Sequence, residues 1–117
     1  MDLETLRQLC LSFPGVTEDI KWGADLCFNI GAKMFVVCGP DSTPVSASFK
    51  CSDEDFESLI TRPGFIPAPY LARHKWVHID DLALLTPAEW QRLAHQAYTL
   101  VRSKLPKKIQ DSLPKGL

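Results

Sequence analysis

The chain has 117 residues, 45% of them hydrophobic and 23% charged, with a formal net charge of −1. That length suits one domain with a real core, and no apolar run approaches the roughly 20 residues of a bilayer-spanning helix. The N-terminal "MDLETLRQLCLSF" places two acids before its first base, which argues against a secretory signal and makes a cytoplasmic protein the expectation.

In chain order, Asp2 is a candidate N-cap for a helix over Leu3–Ser12. Leu3, Leu6, Cys10 and Phe13 recur at helical steps beside Leu9, and Pro14-Gly15 ends the helix. "VTEDIKWG" reads as an irregular link. In "DLCFNI", Leu26, Phe28 and Ile30 share one face, with Cys27 and Asn29 on the other. "GA" then separates this segment from "KMFVVCG", so the two read as a hairpin whose turn needs positive φ at its first central position. The second of these strands is apolar on both faces, which suggests a central place in a sheet. After the turn "PDSTP", the segment "VSASFKC" alternates with Val45, Ala47 and Phe49 inward.

Ser52 to Asp55 read as a capping box opening a short helix that runs to Ile60 and buries Phe56, Leu59 and Ile60. "TRPGFIPAPY" carries three prolines and a glycine in ten residues and is expected to stay irregular. "KWVHI" is the next strand. Thr86-Pro87-Ala88-Glu89 is the clearest helix start: Thr86 caps, Pro87 sits where its missing N–H costs nothing, and Glu89 completes the box. That helix turns Trp90, Leu93, Ala94, Ala97, Leu100, Val101 and Leu105 inward and stops at Pro106. Residues 107–117 read as a basic, loosely ordered tail. The order α-β-β-β-α-β-α predicts one two-layer α+β domain, an antiparallel sheet packed on helices.

The four cysteines, at 10, 27, 38 and 51, form no C-x-x-C pair and show no zinc spacing, so they read as free, buried thiols. No phosphate loop, nucleophile elbow, H-E-x-x-H or kinase signature occurs. The expectation is therefore a non-enzyme, with no catalytic residues, no cofactor and no metal site. Acids at 53, 54, 55 and 57 gather at a helix start, where they suit the helix dipole.

Charge is unevenly spread. Residues 1–60 hold four Lys/Arg and ten Asp/Glu, and residues 61–117 hold nine and four. Either the halves attract one another or the second half carries an anion-facing surface. "ARHKWVHID" sets Trp76 among cations, and two registers are open for it. Either Val77 and Ile79 are the core pair, with His74, Trp76 and His78 on the other face, or Trp76 points inward. The tail adds Arg102, Lys104, Lys107, Lys108 and Lys115. Cations interleaved with an aromatic suit a nucleic-acid surface. The candidate DNA-contacting residues are Lys33, Lys50, Arg73, His74, Lys75, Trp76, Lys104, Lys107 and Lys108. The slightly negative net charge runs against this reading. The alternative is a protein-interaction or ligand-sensing module that uses Trp22 and the proline-rich loop. A metal carrier is third, although His74 and His78 on one strand would lie about 13 Å apart.

Six pieces, "SFPGVTEDIKWG", "FNIGAKMFVV", "SFKC", "PAPY", Trp76 and "AYTLVRSKLPKK", occur in an order that resembles the MmcQ/YjbR family of small bacterial proteins over nearly the whole chain. Family members often place a histidine directly before this tryptophan; here Lys75 stands there and His74 is one step back. The resemblance implies an α+β fold classed near the frataxin-like domains. It also implies a DNA-binding role through a double-wing arrangement of loops and strands.

Overall fold

The computed structural model describes residues 1–115; the last two residues of the expected tail lie outside them. Its helices are α1 (Leu3–Leu11), α2 (Asp53–Leu59), α3 (Pro87–Ser103) and α4 (Lys107–Ser112). Its strands are β1 (Thr17–Lys21), β2 (Asp25–Ile30), β3 (Lys33–Gly39), β4 (Ser46–Lys50), β5 (Phe65–Pro67) and β6 (Trp76–Ile79). The strands form one antiparallel sheet in the order β1-β2-β3-β4-β6-β5.

Alternation decides which face is buried. One cross-strand row runs Phe28–Val36–Phe49–Val77 and another runs Leu26–Cys38–Ala47–Ile79–Phe65. These rows meet Leu6, Cys10 and Phe13 from the α1 side and Trp90, Leu93, Ala94, Ala97 and Tyr98 from α3. The expected two-layer α+β arrangement is therefore present. All four cysteines are buried and free. Burial pushes the Cys38 and Cys51 thiols up to about 12, which keeps them protonated at neutral pH.

Three segments differ from the sequence reading. "VTEDIKWG" contributes β1, which pairs with β2 from Thr17↔Asn29 to Lys21↔Asp25. It is an edge strand with mostly polar side chains, so it shows no apolar alternation. It is tied instead by side chains: Asn29 donates to Asp19 at 2.9 Å, and Arg7 of α1 donates to both carboxylate oxygens of Glu18. The proline-rich segment supplies β5, also at an edge, where the missing N–H of Pro67 breaks no ladder. The basic tail is not loose over its first half. α3 ends at Ser103, ahead of Pro106 as expected, and Pro106 then leads into α4, since its fixed φ suits a helix start.

Two contacts lock the layers around the C-terminal part of α3. The Tyr98 hydroxyl donates to the Pro14 carbonyl at 2.6 Å and accepts from Arg102 at 2.8 Å, which fastens the α1–β1 link to α3. Tyr98 is almost wholly buried, and the helical pattern alone did not single it out. Just beyond the same helix end lies the β2–β3 turn, where Gly31 and Ala32 both have positive φ, whereas the sequence reading required it only at the first central position. A Cβ on Gly31 would come within 2.5 Å of Leu105 and 3.1 Å of Ile109. The turn is thus pressed against the C-terminal end of α3 and against α4.

Gly31→Ala should destabilise the fold by about 1–2 kcal/mol, from left-handed backbone strain plus the Leu105 clash; urea unfolding measures this. Tyr98→Phe should cost about 1 kcal/mol through the lost hydrogen bonds. Acid unfolding gives a third check. Asp55 accepts from Arg92 at 3.0 and 3.2 Å and from Gln96 at 2.9 Å, and Arg92 first among these holds its carboxyl below the usual range. The folded state therefore binds fewer protons here than the unfolded one. This contribution is present above about pH 4 and is lost as pH falls through the depressed value. Asp55→Asn should flatten stability against pH in that acid window.

Candidate functional site

The start of β3, the end of β4, the turn before β6 and the C-terminal end of α3 converge on a cleft of about 500 Å³. Leu71, Trp76, Val101 and Leu105 make its apolar walls, and Lys33, Lys50, Lys104 and His74 bring its polar groups. Each arrives by a separate structural rule. Lys33 is the first residue after the Gly31-Ala32 turn. Lys50 ends β4 directly opposite Trp76. Lys104 is the C-cap of α3, where a cation also suits the helix dipole.

Five of the nine sequence candidates, Lys33, Lys50, His74, Trp76 and Lys104, thus line one cavity. Lys107 and Lys108 open α4 directly after Pro106, itself a lining residue. Arg73, His74 and Lys75 do not lie on the strand, as expected from sequence, but in the preceding turn. Ala72–His74 form one turn of 3-10 helix, and Lys75 follows in a left-handed conformation. This reversal aims Lys75 back over the Phe56 ring, 4.9 Å from its centroid. Exposed Arg73 donates to the His74 ring at 3.3 Å. The two open registers for Trp76 resolve in favour of Val77 and Ile79 as the core pair. Trp76 lies on the opposite face and is nonetheless only 6% exposed.

The electrostatics of this cluster are unbalanced. Among the described residues, no ion pair includes Lys33, Lys50, Arg73, Lys75, Lys104, Lys107 or Lys108. Among the described residues only the Arg92–Asp55 ion pair joins the acidic half of the chain to the basic half, so ion pairing between the halves does not absorb the excess cations there. Lys50 is half-buried and its Nζ donates to the His74 carbonyl. Burial first, and then Lys104 and Lys75, hold its pKa below the ordinary lysine value. The patch ends at α2: Lys50 and Lys104 also border a more open hollow that contains Asp53, Glu54 and Asp55.

A second depression of about 390 Å³ lies on the face of the sheet away from the helices. Met34, Val37 and Ser48 are among its lining residues, together with Asp25, Trp22 and Tyr70. Trp22 is 70% exposed and Tyr70 fully exposed, and both have positive φ. Leu71 lines this depression and the cationic cleft alike. His78 hydrogen-bonds Ser48 at 3.0 Å and faces Asp80, apart from His74. Among the described residues no three His, Cys, Asp or Glu side chains gather as a metal site, and no helix is long and apolar enough to cross a membrane.

The family model described as YjbR matches residues 11–100. The crystal structure of Deinococcus radiodurans protein DR2400, described with the family-model domain DUF419, is similar over 99% of this chain and 91% of that one. Its TM-score is 0.86 at 22% sequence identity, a likeness of fold alone. No curated protein matches the sequence.

A cleft that crowds cations should gain stability from a multivalent anion. Inorganic pyrophosphate should raise Tm above that in chloride of equal ionic strength. Lys50→Met and Lys104→Met should each blunt the difference, as differential scanning fluorimetry would show.

Proposed function

Because the chain belongs to the YjbR family, and because its cations gather as they do, we propose that it binds DNA through the cationic cleft and the start of α4, largely without sequence preference. The observation that carries this reading is the convergence of Lys33, Lys50, Lys104 and His74 on one cavity, with no carboxylate in ion-pair contact among the described residues. Lysines bound to phosphate release condensed counterions, and that entropy is available to a local patch whatever the net charge of the whole molecule. Trp76 backs the patch as a rigid wall, and Lys107 and Lys108 extend it along α4. The β2–β3 turn and the turn at 72–75 flank the cleft and would act as the two wings. The protein is proposed as a binder and not as a catalyst.

Fluorescence anisotropy with labelled DNA at low and moderate salt tests this. Binding should weaken steeply as salt rises, with log K falling by about 0.7–0.9 per phosphate contact for each unit of log salt. Lys107→Glu with Lys108→Glu should lower that slope by about two contacts' worth. Affinity that ignores both salt and these reversals would overturn the proposal.

A further inference from the structure

Trp22 and Tyr70 are the two most exposed aromatic side chains, and both stand on left-handed backbone. The backbone at each position serves a turn, Trp22 with Gly23 between β1 and β2 and Tyr70 after Pro69 in a turn closed by the Leu71 N–H on the Ala68 carbonyl, but neither turn needs a large exposed ring. An exposed indole contributes little burial energy, and a bulky residue at positive φ costs on the order of 1 kcal/mol or more. Trp22 sits in the β1–β2 turn and Tyr70 in the loop after β5, far apart in sequence, yet they line the same depression. Its lining is mainly apolar, from Met34, Val37 and Leu71, with Asp25 and Ser48 as hydrogen-bonding groups. At about 390 Å³ it falls within the range of small-ligand sites. Its continuity with the cationic cleft through Leu71 suggests what occupies it.

Resting on the DNA-binding reading above, we infer that the preferred substrate is single-stranded DNA. Phosphates run along Lys33, Lys50 and Lys104, and an unpaired base enters the neighbouring depression to stack on Trp22 and Tyr70. A cationic track beside aromatic platforms is the physical basis of single-strand binding, since every base has a face to stack. A duplex keeps its bases stacked internally, so it can use the lysines but not the aromatics. The Asp25 carboxylate can accept from an exocyclic amine, and the Ser48 hydroxyl can donate or accept at a base edge.

The test compares a labelled oligothymidine of about twelve nucleotides with a duplex of equal length. Trp22 is 70% exposed while Trp76, in the cleft wall, and Trp90 are buried, so the part of the fluorescence quenching that Trp22→Asn abolishes reports on Trp22. Single strands should bind more tightly than duplex and quench. Trp22→Asn and Tyr70→Asn should each reduce single-strand affinity roughly fivefold to a hundredfold, with the duplex affinity unmoved. Asparagine tolerates the left-handed backbone, so both variants should melt no lower than the parent. A structural role for either ring would instead appear as a lower melting temperature. Lys50→Glu should weaken both ligands. Equal affinity for single strand and duplex, or intact single-strand binding by the two Asn variants, overturns this inference and leaves the cationic-cleft reading standing. Failure of the parent protein to bind either DNA overturns both.

Discussion

The placement of the site depends on one steric fit, the β2–β3 turn against the C-terminal end of α3. Gly31 leaves no room for a Cβ beneath Leu105 and Ile109. Lys33 lies two residues beyond that glycine, and Lys104 immediately precedes that leucine. A single close approach of backbone to side chain therefore brings together cations from opposite layers of the domain. The same contact seats α4, which carries Lys107 and Lys108 to the edge of the cleft.

The cleft is electrostatically unfavourable as it stands. Elsewhere on the molecule Arg7, Arg62 and Arg92 each meet a carboxylate, while in the cleft Lys50 meets the exposed His74 carbonyl and feels the charges of Lys104 and Lys75. A fold selected only for stability would relieve this by pairing or by a neutral residue. The exposed rings of Trp22 and Tyr70 have the same character on the other face of the sheet. Local sacrifices of this kind are characteristic of surfaces shaped for a ligand, and here two of them adjoin across Leu71.

The helices cover one face of the sheet and leave the other partly open. On that open face Trp76 is buried, but Ser48, His78 and Val37 stay only half-covered. The sheet's second face is therefore a surface with relief, closed near β6 by the segment around Ala68 to Leu71 and open toward the β1–β2 turn.

Local chemistry in the sequence determined much of this protein. The Asp2, Ser52 and Thr86 caps, the Leu26-Phe28-Ile30 and Val45-Ala47-Phe49 alternations, and the apolar stripes of α1 and α3 each signal their element within a few residues. Membership in the YjbR family was legible in the order of six short pieces. Tertiary structure alone decided the rest. β1 and β5 exist because a neighbour supplies their hydrogen bonds, which no apolar period announces. Tyr98 is buried because the Pro14 carbonyl waits for its hydroxyl. The candidate cations could be named from composition, but their meeting in one cleft could not. That meeting rests on contacts between residues tens of positions apart, on the αL reversal at Lys75, and on the tight seat of Gly31 beneath Leu105.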